Sequence, residues 1–295
     1  MRRRQVFAWI LFAHAGVAAA LATAATTASR PAVSKTPELV YNQRLHAHNV
    51  FTPRISAAVV DEASEIFRRE LRPQWLTRYS DGQLQKPSEL PCDCMQTRLG
   101  RFFVVQHGIW SSDIAWISVD DDATHQHYLR LFEQSGIPEQ MAPVVDHERG
   151  LRMFSAYYVV RSQATGSNMH VDFVPAVGCN AFTLMTPLAD FAAPDFQLLY
   201  QDLDGVTRQY RYTRGEAICF GSHFQHTTEP GRAAAADGGL HAYLCFTFGS
   251  DKEEHFAHVY ETQGSYASRV IRTPSGETLL TDIGRHLEAH GRNAS

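Results

Sequence analysis

Apolar residues recur along this chain in two rhythms, one in its first half and another in its second. Over Ile55 to Leu71 they fall at Ile55, Val59, Ala63, Ile66 and Phe67, with Glu62, Glu65 and Arg68 on the other side. That is the spacing of a helix that buries one face. Pro73 is expected to close it, because proline has no N–H for the next turn. A second helix is expected over about 123–135, behind the acidic trio Asp120, Asp121 and Asp122, whose charges suit the positive end of a helix dipole. On it His125 and His127 are read as solvent-facing. Arg101 to Ile117, with its FFVV run and Trp110 and Trp116, reads as a strand and a turn, and Ser80 to Cys94 as a polar surface loop.

From Arg152 the rhythm shortens. FSAYYVV (154–160), FTLMTPL (182–188), FQLLYQD (196–202), TRQYRYT (207–213), EAICF (216–220) and LHAYLCFTF (240–248) are short β-prone runs separated by Gly, Pro and Asp. Leu203-Asp204-Gly205 supplies a hairpin turn between two of them. Many short strands at fairly even spacing imply a β-sandwich or barrel. The fold class expected is α+β, mainly β: an N-terminal helical layer over 36–150, a β-core over 151–251, and a C-terminal tail over 252–295 with a short helix near Thr278 to Ala289.

Composition narrows the field. The 295 residues are 44% hydrophobic and 20% charged, an ordinary globular mix. A net charge of −4 and a pI of about 6.4 give no electrostatic case for a nucleic-acid or anionic-membrane partner. Five cysteines, at 92, 94, 179, 219 and 245, make neither a disulfide framework nor a zinc-site spacing. Arg2, Arg3 and Arg4 precede an apolar run from Val6 to Ala20 and then Ala22-Thr23-Ala24. Residues 1–26 therefore read as a secretory signal or a membrane anchor, pointing to the ER or Golgi lumen or to secretion; the absence of acidic residues before Glu38 leaves an organelle transit peptide as the alternative.

The candidate chemistry lies in TGSNMHVDF (165–173). His170 and Asp172 form the sole His-x-Asp among 15 histidines. On an extended segment, residues two apart point to the same side, so an imidazole and a carboxylate can share one ion. His226 follows in RGEAICFGSHFQH. Two His and one carboxylate hold a metal on one face and leave the other open.

With these residues in place the chain resembles the Fe(II)- and 2-oxoglutarate-dependent dioxygenases, which are built on a double-stranded β-helix, or jelly-roll, core. YYVVRSQATGSNMHVDF matches the strand that leads into His-x-Asp. RGEAICFGSHFQH matches the strand that leads to the distal His, and HTTEP (226–230) is similar to the distal His-x-x-x-Pro of the prolyl-hydroxylase branch. The resemblance spans about 152–250. It implies an oxidoreductase in which His170, Asp172 and His226 bind Fe(II), 2-oxoglutarate is co-substrate, ascorbate is a further cofactor, and a C–H bond is hydroxylated in a small molecule or in a prolyl or other residue of a secreted polypeptide.

The family places an Arg or Lys about ten residues beyond the distal His to clamp the far carboxylate of 2-oxoglutarate. His241 stands there in this chain. Arg232, on the intervening loop, is a second candidate, and Arg161 and Arg211 are outside candidates. Tyr158 and Thr183 are expected to hydrogen-bond the co-substrate, and Phe173, Phe182, Leu184 and Phe246 to line the pocket. The weak clamp position keeps open an alternative, a degenerate jelly-roll that binds a metal or ligand without oxidation. No Lys or Arg lies between His170 and Arg208, which excludes the branch that uses a Lys after His-x-Asp.

Overall fold

The computed structural model describes residues 39–40, 49–79, 92–107, 112–191, 196–266 and 268–290. The leader over 1–26, Trp110 and the loop residues 80–91 lie outside them. In chain order the strands are β1 (Leu39–Val40), β2 (Val50–Pro53), β3 (Cys92–Thr97), β4 (Gly100–His107), β5 (Ser112–Val119), β6 (Arg152–Ala164), β7 (Ala181–Pro187), β8 (Leu198–Gln201), β9 (Thr207–Tyr210), β10 (Ile218–Phe220), β11 (His226–Thr228), β12 (Gly231–Arg232), β13 (His241–Gly249), β14 (Val270–Arg272) and β15 (Thr278–Leu280). The helices are α1 (Ala57–Ile66), α2 (Arg72–Tyr79), α3 (Asp122–Gln134), α4 (Ile137–Met141), α5 (Glu253–Gln263) and α6 (Asp282–Ala289).

A large antiparallel sheet runs in the order β1-β2-β10-β7-β13-β6-β5-β4-β3, with β12 beside the end of β6. A small sheet, β11-β8-β9, stands opposite, and an isolated bridge between His170 and His226 extends it. Chain order alternates between the two walls: β6, bridge, β7, β8, β9, β10, β11, β13. This is the double-stranded β-helix. Its central strands β6 and β13 pair from Arg161 opposite His241 to Arg152 opposite Gly249. Every residue of β13 is buried, which is why it reads as a continuous apolar run instead of an alternating one.

The two faces of the large sheet carry different cores. Tyr158, Val160, Leu184, Phe182, Leu244 and Phe246 pack with helix α1 outside the jelly-roll. Tyr157, Val159, Met185, Tyr243 and Cys245 face inward, toward Leu198, Tyr200 and Phe224 of the other wall and its flank. Strand side chains alternate, so an assignment one residue out puts every side chain on the wrong face. That corrects the expected pocket lining: Phe182, Leu184 and Phe246 support the sheet from behind, and Phe173 packs under helix α5.

The described residues over 36–150 do not form a helical layer. Strands β3, β4 and β5 extend the large sheet beyond β6, with α1 and α2 before them in the chain and α3 after them. The alternation in MQT, FFVV and AWIS is short, and it pairs only because β6 offers an edge. Pro73 does not end the first helix either. Phe67–Leu71 forms a widened π-turn, which opens the room that a proline ring otherwise takes from the carbonyl four residues back, and the helix continues as α2.

Helix α3 starts as expected, with Asp121 accepting from Thr124 N at 2.8 Å in a capping box. His125 and His127 face inward instead of outward: both are buried. His127 lies 3.2 Å from Glu62 Oε1. Asp120 is buried too and receives Arg101 at 2.5 Å and Arg269 at 2.7 and 3.0 Å, tying the C-terminal segment to the extension of the sheet.

Candidate metal centre

His170 and His226 come together through their backbones. His170 N donates to His226 O at 3.0 Å and His226 N to His170 O at 2.9 Å, an antiparallel pair that sets the two imidazoles side by side with centroids 4.6 Å apart. Each ring then turns the same way. His170 Nδ1 bonds Asn168 O at 2.8 Å and His226 Nδ1 bonds Phe224 O at 3.0 Å. A carbonyl only accepts, so Nδ1 carries the proton in both rings and Nε2 presents its lone pair. Both Nε2 atoms lie 3.7 Å from Asp172 Oδ1, too far for hydrogen bonds and arranged as separate donors. One donor atom from each of the three residues falls within 4.8 Å of the others.

The set fits a divalent cation. Burial, more than the neighbouring His170, draws the His226 pKa from 6.5 down to about 4, so the ring is neutral at pH 7, the form that binds a metal. Asp172 is buried, and among the described residues no Lys or Arg pairs with its carboxylate. The His170 side is the open one, with 23% of its side chain exposed. His223 takes φ 80°, a left-handed conformation rare outside glycine, in the turn from β10 to β11. That turn sets the entry into His226.

Other expected site residues fall in four places. Tyr158 faces away from the metal set and bonds Tyr128 and Ala63 O behind the sheet, so it is not a co-substrate ligand. Arg232 is exposed and donates to Gln163 Oε1 at 2.7 Å. His241 is fully buried and stacked on Phe191, with ring centroids 3.7 Å apart, with Phe196 at 5.1 Å; an imidazole packed between aromatic rings is poorly placed to act as a cationic clamp. Thr183 is buried on the inward face, opposite Thr247 of β13.

Two side chains stand out inside the jelly-roll. Arg161, opposite His241, is only 7% exposed. Its Nε and Nη1 make no hydrogen bond, its guanidinium carbon lies 5.3 Å from the Tyr243 ring centroid, and among the described residues no carboxylate pairs with it. Two residues beyond the inward-facing Val159 on β6, it points to the same interior as Tyr243 and Tyr212, whose hydroxyls it also meets. The second is Tyr266, whose hydroxyl donates to Asp172 Oδ1 at 2.9 Å. Burial, then the Asp172 charge, holds that phenol well above its ordinary pKa, so it stays a donor. Tyr266 carries no motif, and it stands 94 residues from Asp172. Nothing in the sequence marks it.

The fold and the site together define a double-stranded β-helix protein with two histidines and one carboxylate placed where they could hold a metal ion. No family model matches the chain, and no curated protein matches it. Similar solved structures include a Pseudomonas putida prolyl-4-hydroxylase, at 14% identity over 70% of this chain and 95% of that one, TM-score 0.42. AviO1 from Streptomyces viridochromogenes Tue57 is similar at 11% identity, over 71% of this chain and 96% of that one, TM-score 0.43. HygX from Streptomyces hygroscopicus, solved with nickel and 2-oxoglutarate bound, is similar at 11% identity over 72% and 87%, TM-score 0.43. What the site can do follows from the chain's own geometry and not from these distant likenesses.

Proposed function

We propose that the protein is an Fe(II)- and 2-oxoglutarate-dependent oxygenase that hydroxylates a C–H bond. The observation that carries this reading is the convergence of two Nε2 lone pairs, with tautomers set by backbone carbonyls, on one buried carboxylate oxygen. His170, Asp172 and His226 would hold the ion. Bound there, Fe(II) supplies the redox chemistry that couples oxidative decarboxylation of 2-oxoglutarate by O2 to C–H hydroxylation.

Arg161 clamps the far carboxylate of 2-oxoglutarate in this reading, in place of His241 or Arg232. A guanidinium stays charged and meets a carboxylate through two parallel N–H groups. One that is buried with Nε and Nη1 free is costly until an anion arrives. Thr183, on the same inward face, is a second polar contact for the co-substrate. Tyr157, Val159, Met185 and Cys245 line the interior with groups that keep water out, which strengthens the guanidinium–carboxylate attraction. Ascorbate belongs to the same reading as a further cofactor.

For the substrate we infer a prolyl or other residue of a secreted polypeptide. The HTTEP pattern and the secretory character of residues 1–26 support it, and the open His170 side is where such a segment would approach. The rival reading, a jelly-roll that binds ligands without oxidation, has the stacked His241 in its favour.

The test is turnover of 2-oxoglutarate to succinate by the full chain with Fe(II) in air. Succinate formation that is lost in Asp172→Ala and in Arg161→Met is expected. Iron binding without succinate under any condition would favour the rival.

A further inference from the structure

The segment after Asp251 reads in the sequence as a tail, and the proposed reaction makes no demand on it. In the structure it forms one wall of the metal centre. Phe256 and Val259 of α5 pack on Phe154, Phe173 and Val177, beneath the turn that follows Asp172. Val174 N donates to Thr262 Oγ1 at 3.1 Å, so helix and turn are joined by a polar contact as well. Beyond α5 the chain turns, with Tyr266 N donating to Gln263 O at 3.1 Å, and delivers the Tyr266 hydroxyl to Asp172 Oδ1 at 2.9 Å. That oxygen is the one lying 3.7 Å from each Nε2.

Among the described residues no other hydrogen bond reaches the Asp172 carboxylate. The last torsion of an aspartate is broad and nearly two-fold, so without a fixed donor the group would share its population among orientations. Ligand carboxylates are commonly oriented by such outer partners.

We propose that Tyr266 is a positioning residue of the metal centre: it holds the Asp172 carboxylate in the orientation that presents Oδ1 to both imidazoles, and so makes the segment 252–290 part of the site. This rests on the metal-centre reading above and is independent of 2-oxoglutarate.

The experiment is calorimetric titration of the full chain with Co(II), on wild type, Y266F and Y260F, with melting curves of each metal-free protein. Tyr260 is the control. Its hydroxyl donates to Leu280 O at 2.9 Å in the same segment and makes no contact with Asp172. Y266F is expected to bind Co(II) ~10-fold or more weakly and to melt lower, because it leaves a buried carboxylate oxygen without its donor; the affinity is what separates the two variants. Y260F is expected to melt lower with unchanged Co(II) affinity. Unchanged affinity in Y266F, or equal weakening in both variants, would overturn the proposal. Should Y266F fail to fold, hydrogen exchange of the wild type decides: by reciprocity of linkage, Co(II) must slow exchange across 262–266, and no effect there overturns the proposal. A wild-type chain that takes up no Co(II) would instead overturn the metal centre itself.

Discussion

At the scale of single residues, the candidate metal set was legible because part of its pattern is local. His170 and Asp172 declare themselves by their spacing, and the order of strands supplies His226. Arg161 and Tyr266 were harder for different reasons. Arg161 stands at the end of a strand where the facing of alternate residues decides whether it is surface or interior. Tyr266 acts through a contact between distant segments. A buried guanidinium that lacks a counter-charge is a cost to the apo protein, and this separates a ligand-binding role from a structural one. Arg161→Met is therefore expected to raise the melting temperature of the metal-free protein, by a stability gain of about 1–3 kcal/mol, while weakening 2-oxoglutarate by about 100-fold or more, the scale for losing one partner of a buried charge pair. Denaturation and co-substrate titration measure the two effects on one sample. A simple structural arginine would show loss of both.

At the scale of elements, the strands were readable from their apolar runs, whereas their facing was not. Both faces of β6, β7 and β13 are buried, so alternation, the usual guide, is absent. Leu244 packs with the helices outside the jelly-roll, and Leu244→Ala is expected to cost about 2–5 kcal/mol in urea denaturation while leaving metal affinity intact in the folded fraction. The helices misled in another way. Pro73 sits inside a continuing helix because the π-turn before it makes room, a compensation that no periodicity shows. His125 looked like a surface residue, yet burial, then the Arg272 charge, against Asp122, brings its pKa from 6.5 to about 4. The folded state thus refuses a proton that the unfolded chain accepts between those values. Stability is complete above pH ~6.5 and falls as pH drops toward ~4, by about 1–3 kcal/mol from this group. His226 acts in the same direction when no metal is present. Denaturation midpoints of metal-free wild type and His125→Asn at pH 7 and pH 5 check this, and the variant is expected to lose less on acidification.

At the scale of the molecule, the jelly-roll serves as a frame extended on both sides. Strands β3 to β5 lengthen the large sheet, and the C-terminal segment closes over the turn after Asp172, with Arg269 and Asp120 joining the two additions. The fold class was legible because strand order and turn residues are local properties of the sequence. The mixed make-up of the described residues before 150 was not, since short strands become strands only where an edge accepts them. The interior that holds three candidate metal donors and one guanidinium with no carboxylate partner among the described residues must take up a metal and a keto acid together. Anaerobic titration of the full chain with Fe(II), before and after adding 2-oxoglutarate, tests this most directly. A weak visible charge-transfer band that needs both, and that disappears in Asp172→Ala and in Arg161→Met, is the expected result. Iron uptake with no band at any 2-oxoglutarate concentration would contradict it.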